Sequence, residues 1–168
     1  MTGSTGNTQR FDARGKRVVI VAARFNAALV DQLIGGARQA WADHGGDEAR
    51  VLVERVPGAF ELPLIAKMFA ASGEVDAVVA LGCVIRGDTP HFDYVAGECA
   101  RGLMDAGLST GVPVIFGVLT TENQAQAEER ADVARMNKGR ESMEAALEMI
   151  ELLAPPPRKP GKKKGRPA

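Results

Sequence analysis

RVVIVAA, residues 17–23, is a nearly unbroken run of β-branched and small apolar side chains. A strand with one wet face alternates apolar and polar residues. A run without polar gaps fits a strand buried on both faces, as in a parallel sheet covered by helices. VDAVVALG (75–82) and VPVIFGVL (112–119) read the same way, while RVLVERV (50–56) alternates more and suits a strand nearer an edge. Helical periodicity fills the gaps between these runs. Asn26 to about His44 stops at Gly45-Gly46, and Phe60 to about Ser72 stops at Gly73. Thr89 reads as the N-cap and Pro90 as the first residue of a helix running to about Ala106, before Gly107. A fourth helix is expected from Asn123 to Arg135. The last runs from Lys138 to Leu153, with Met143, Ala146, Leu147, Ile150 and Leu153 on one face. Strands alternating with helices predict an α/β fold, an open sheet of four parallel strands with helices on both faces.

Bulk properties bound the function. The chain has 168 residues, enough for one domain with a substantial core, and 21 basic side chains balance 21 acidic ones. No net charge points to nucleic acid or to a membrane surface. The basic residues are concentrated after Ala154 in PPPRKPGKKKGRPA, which has no acid. The first 16 residues and this tail are expected to be loose ends flanking one domain over residues 17–154. The two cysteines, Cys83 and Cys99, lack metal-type spacing and read as free thiols of a reducing compartment. With no apolar span and no secretory leader in view, a cytoplasmic location is expected.

In an open parallel sheet, ligands bind beyond the carboxyl ends of the strands. Those ends carry Arg24-Phe25-Asn26, Pro57-Gly58-Ala59-Phe60-Glu61, Arg86-Gly87-Asp88-Thr89-Pro90-His91 and Thr120-Thr121-Glu122-Asn123. In a chain with six Phe, one Trp and one Tyr, Phe25, Phe60 and Phe92 all fall in or beside these junctions, and Phe116 lies in the last strand. The most polar and most aromatic junctions thus converge on one end of the sheet, which is where a site belongs.

His91 stands at the first turn of a helix, where unpaired amides and the helix dipole disfavour the imidazolium. A neutral imidazole can accept a proton and return it, so His91 is the candidate acid/base. Position alone serves equally for a surface His that tolerates a helix start. The amides of Gly87, Asp88 and Thr89 at the same helix start suit an anion, with Arg130 and Lys138 as the available cations. Asp88 opposes that reading unless its carboxylate turns outward.

Other signals fail. Gly35-Gly36 lies within a helix and precedes no Lys-Ser/Thr, and no GxGxxG follows the first run. His44 before Gly-Gly reads as a helix C-terminal residue. Arg86-Gly87-Asp88 spells an adhesion tripeptide but sits at a strand end.

Taken in order, ARFN (23–26), VPGAFELP (56–63), GCVIRGDTPHFDYV (82–95), GVPVIFGVLTTEN (111–123), ER (129–130) and NKG (137–139) resemble the 6,7-dimethyl-8-ribityllumazine synthases of riboflavin biosynthesis. The resemblance spans about residues 16–153. It implies a flavodoxin-like three-layer αβα sandwich and assembly into pentamers or multiples of pentamers, with active sites between subunits. It implies small-molecule substrates only, neither nucleic acid nor membrane as partner, and no metal or organic cofactor. Phe25 would stack on the pyrimidine of 5-amino-6-(D-ribitylamino)uracil, with Asn26 and Lys138 among the groups around it. Ala59, Phe60 and Glu61 would hold the ribityl chain, and Cys83, Val84 and Ile85 would line the ring through main-chain groups. Asp88, Thr89 and Arg130 would bind the phosphate of 3,4-dihydroxy-2-butanone 4-phosphate, and His91 would move protons. Phe116 and Arg130 would reach into a neighbour's site. The alternative is a non-catalytic oligomeric scaffold of the same fold that binds lumazine or flavin. It predicts loss of Phe25, His91 or Arg130, and all three are present. One departure stands out: where the family often has a Gly- and Lys-containing stretch, residues 131–136 read Ala-Asp-Val-Ala-Arg-Met.

Overall fold

Every side chain of the first strand, β1 (Val18–Ala23), is buried. Its successive residues feed two separate cores. Val18, Ile20 and Ala22 pack with α1 (Ala27–Asp43) and α5 (Lys138–Leu153), while Val19 and Val21 pack against the opposite layer. The period-two alternation of a strand therefore serves both faces at once. At about 1.5–3 kcal/mol for each large aliphatic side chain buried, this strand alone is a major part of the core. The coordinates are a computed structural model, and the structure describes residues 10–155.

The sheet has the order β2-β1-β3-β4, with β2 at Val51–Val56, β3 at Ala77–Ile85 and β4 at Val114–Thr121. All neighbours are parallel. The alternating run does form an edge strand. Helices α2 (Leu62–Ala71) and α3 (His91–Thr110) meet on one face through Leu62, Ala66, Cys99 and Leu103. On the other face α1 and α5 are joined by the short α4 (Gln124–Ala131). This is the expected three-layer α/β sandwich.

Several boundaries shift for identifiable reasons. Helix α3 begins at His91, with Pro90 as its cap rather than its first residue. Thr89 Oγ1 reaches only the His91 amide, at a long 3.4 Å. The same helix runs through Gly107 and stops at Gly111, whose φ of 70° supplies the left-handed end. Helix α4 stops at Ala131 instead of Arg135. The Asp132 carboxylate captures the Ala134 amide at 2.8 Å, a local turn that competes with helix. Phe11 and Ala13, inside the stretch read as a loose end, are buried. The Phe11 amide donates to His44 Nδ1 at 3.2 Å and the Ala13 amide to the His44 carbonyl at 3.0 Å. His44, the capping residue of α1, also pairs with Glu144 of α5 at 3.2 Å. Of the basic tail, residues 156–168 lie outside the described residues.

Helices α1 and α5 approach closely because both carry glycine at the crossing. A Cβ on Gly139 would overlap the Leu33 carbonyl, a backbone group that cannot turn aside. Gly139→Ala is therefore expected to cost about 1–3 kcal/mol through overpacking. Denaturant titration checks this; an unshifted midpoint means the two helices can part freely.

Both thiols are buried, and desolvation pushes Cys83 up to about 11 and Cys99 up to about 12. Each raised value favours the folded, protonated form. The associated stability is complete below the ordinary value of 9.0 and is lost as pH climbs toward about 11 and about 12. A thiol reagent applied at about pH 8, near the free-thiol range, should titrate neither cysteine in the native protein and both after denaturation. Fast native labelling would contradict this burial.

Candidate active site

The geometry begins with an asparagine in a strained conformation. Asn26, between β1 and α1, has φ 56° and ψ 45°, a left-handed turn that costs most residues roughly 1–2 kcal/mol and asparagine less. Its side chain does not cap α1. Instead Nδ2 donates to the Cys83 carbonyl at 2.9 Å, tying the end of β1 to that of β3. The β1–β2 pairing continues past the strands, as the Arg24 amide donates to the Val56 carbonyl at 2.8 Å and the Phe25 amide to the Pro57 carbonyl at 3.1 Å. Phe25 is thus held by its backbone while its ring stands 71% exposed.

The second junction closes on itself. Glu61 Oε2 accepts the Gly58 amide at 2.9 Å, and Ala59–Glu61 form a single tight turn. Ala59 is buried, whereas Phe60 is exposed. Phe25 and Phe60 are thus both exposed at neighbouring strand ends.

The third junction lies farther out. The β3–β4 ladder runs on through Cys83↔Leu119, Val84↔Thr120 and Ile85↔Thr121, beyond the last β1–β3 partner at Ala22↔Leu81. Sequence periodicity ended β3 at Gly82; pairing with β4 extends it to Ile85. The Cys83 side chain points into the core, which leaves its carbonyl, taken by Asn26, as its outward feature. Val84 and Ile85 are half-buried; Asp88, Thr89 and His91 are exposed. One end of the sheet thus gathers Phe25, Asn26, Ala59, Phe60, Glu61, Cys83, Val84, Ile85, Asp88, Thr89 and His91.

Phe116, Arg130 and Lys138 sit elsewhere. They line a cleft of about 390 Å³ along the outer side of β4, with Glu141 and Ser142 opposite, and none of the residues gathered from the first three junctions lines it. Arg130 Nη1 donates to the Gln126 carbonyl at 3.0 Å, and Lys138 Nζ pairs with Glu141 at 2.6 Å. Glu141 and Ser142 were not singled out in the sequence. Their signal was present in the i+3 and i+4 spacing from Lys138, which puts all three on one turn. Among the described residues no group of three or more His, Cys, Asp or Glu side chains could hold a metal ion, and no helix is long and apolar enough to cross a membrane.

Chemically, the strand-end half offers two aromatic faces, outward main-chain groups and an imidazole. The cleft offers two cations beside an aromatic ring. Together they suit a flat heterocycle and an anion; neither half alone suits both.

The family model of 6,7-dimethyl-8-ribityllumazine synthase matches residues 15–154. A protein of that name from Thermus thermophilus is 55% identical over 141 residues, covering 84% of this chain and 90% of its own length. Another, from Nitratidesulfovibrio vulgaris, is 50% identical over 144 residues, covering 86% of this chain and 92% of its own. With matches over nearly the whole described chain and a four-stranded parallel α/β sandwich, the chain belongs to the 6,7-dimethyl-8-ribityllumazine synthase family.

Proposed function

We propose that this protein is a transferase that condenses 5-amino-6-(D-ribitylamino)uracil with 3,4-dihydroxy-2-butanone 4-phosphate to form 6,7-dimethyl-8-ribityllumazine. The observation that carries the reading is the convergence of exposed Phe25 with His91 at the carboxyl ends of β1 and β3, in a chain of this family. The uracil ring stacks on Phe25, an aromatic face that suits a flat, polar heterocycle. The ribityl hydroxyls meet main-chain groups of Ala59 and Phe60 and the Glu61 carboxylate, and the ring edge meets the backbone of Cys83 to Ile85.

The reaction needs proton transfers at several points. The uracil's amine attacks the ketone, the carbinolamine loses water to give an imine, and phosphate is eliminated. Ring closure and a second loss of water complete the lumazine. His91 takes and returns these protons, and no redox step occurs. Orienting two bound substrates supplies much of the rest of the acceleration.

The separation of the two halves supports a site completed by a second subunit. Phe116, Arg130 and Lys138 lie in an edge cleft that none of the residues from the first three strand-end junctions lines. Presented to a neighbour, Arg130 gives the phosphate beside Asp88 and Thr89 a charge-assisted contact. An apolar groove beside the cleft, lined by Leu103, Met104, Leu108, Met149 and Leu153, supports the same arrangement. We place the assembly as a homopentamer or a multiple of it. Two free buried thiols fit work in a reducing cytoplasm.

Mixing the purified protein with both substrates should produce the lumazine's fluorescence above the uncatalysed rate; no enhancement rejects the reading. His91→Ala should lower kcat by about a hundredfold while uracil binding persists, and unchanged turnover removes His91 from the mechanism. Arg130→Ala should raise the KM for the phosphate substrate by about tenfold or more, as loss of a charge-assisted hydrogen bond implies. Equal effects on both substrates would reject its phosphate role.

A further inference from the structure

What fixes the direction of the His91 side chain is not evident from α3 itself. The helix begins at His91 without a side-chain cap, and Thr89 makes only the long 3.4 Å contact to its amide. The preceding loop holds Gly87, around which a Cβ would meet nothing. A first turn so loosely started would fray. It is gripped from one side by Arg86. The backbone of Arg86 ends the β3–β4 ladder, its amide donating to the Thr121 carbonyl at 2.9 Å. Its guanidinium then makes three contacts. Nε donates to Glu122 Oε2 at 2.8 Å, Nη1 meets Asp93 Oδ1 at 3.1 Å, and the plane lies over the Phe92 ring, 4.2 Å from its centre. Phe92 and Asp93 are the two residues that follow His91.

We infer that Arg86 is a positioning residue for the reaction: its guanidinium clamps the first turn of α3 to the end of β4 and so sets where the His91 imidazole points. The inference rests on His91 acting as proposed above. Two carboxylates already pair with this guanidinium, so it is poorly suited to bind substrate phosphate itself. Its partners on both sides are largely exposed, and ion pairs of that kind add little to stability. The yield of the contact is direction. A planar guanidinium serves two carboxylates and a ring face at once, which a lysine ammonium cannot do. The clamp also reaches the cleft. The Glu122 amide donates to Gln126 Oε1 at 2.9 Å, and Arg130 donates to the carbonyl of that same Gln126.

Steady-state kinetics of Arg86→Met, Arg86→Lys and Glu122→Gln, with melting curves, test this. Displacing a reacting group by about 1 Å can cost about a hundredfold, so Arg86→Met should lower kcat by roughly ten- to a hundredfold. Its KM for the uracil substrate should change by less than about threefold, since uniform binding is untouched. Arg86→Lys should recover only part of the loss, Glu122→Gln should fall between, and all three should melt near the wild type. A second readout does not need turnover. The chain has two histidines, and buried His44 serves as the internal reference for the rate at which diethyl pyrocarbonate modifies His91. That relative rate should change in Arg86→Met. A kcat within about twofold of wild type overturns the inference while leaving the proposed reaction intact. So does a kcat loss that tracks a collapse in melting temperature and is fully restored by lysine. If the wild type makes no lumazine, the proposed reaction falls, and an unchanged His91 modification rate then also rejects the clamp.

Discussion

Burial of β1 on both faces is the constraint on which the rest of the molecule depends. Its backbone is paired to β2 on one side and β3 on the other, and its side chains fill both cores in alternation. A strand so placed cannot tolerate a polar residue at any position without burying an unpaired group. It therefore has to end abruptly where polar residues begin. That happens at Arg24-Phe25-Asn26, where the candidate site starts. The left-handed Asn26 turns the chain from strand to helix while its amide group holds the neighbouring strand end.

The sheet is staggered, which shapes the site. Because β3 and β4 pair beyond the end of β1, Arg86 and Glu122 lie at the end of the longer ladder and meet each other there. The shorter central strand leads into Phe25, beside the end of β2 that leads to Phe60, and both rings are exposed. The taller pair carries the loop leading to His91. Arg130 and Lys138 face outward from the β4 edge, beside the exposed rings and methyls of Phe116, Met104 and Leu108.

Much of this was legible in the residues. Hydrophobic runs without polar gaps identified the strands, and the alternation in residues 50–56 placed β2 at an edge. Helix ends were less legible. Gly107 and Gly111 both read as stops for α3, and the helix takes the second, where Gly111 adopts the left-handed conformation. Arg135 looked helical because its neighbours are good helix formers; the Asp132 side chain overrode that propensity with one local hydrogen bond. Arg86 was visible as a strand-end residue and as part of a tripeptide, with no role of its own. Its partners are 7 and 36 positions away in the chain, at Asp93 and Glu122, and no local pattern links them.

The sequence by itself determined the α/β class, the parallel sheet, the edge position of β2 and three of the four strand-end junctions, whereas Thr120 and Thr121, read as the fourth, belong to β4. Those features follow from local periodicity and from the polar residues that interrupt it, and both are properties of neighbouring positions. Only the tertiary structure decided which junctions meet. The Asn26–Cys83 tie, the Arg86 clamp and the packing of Phe11 on His44 join residues distant in the chain. Their contact depends on strand order and on how far each ladder runs. The same geometry divided the candidate residues into a strand-end set and an edge-cleft set. Whether a side chain on β4 faces its own loops or the outside is fixed by sheet pairing, not by its neighbours in sequence.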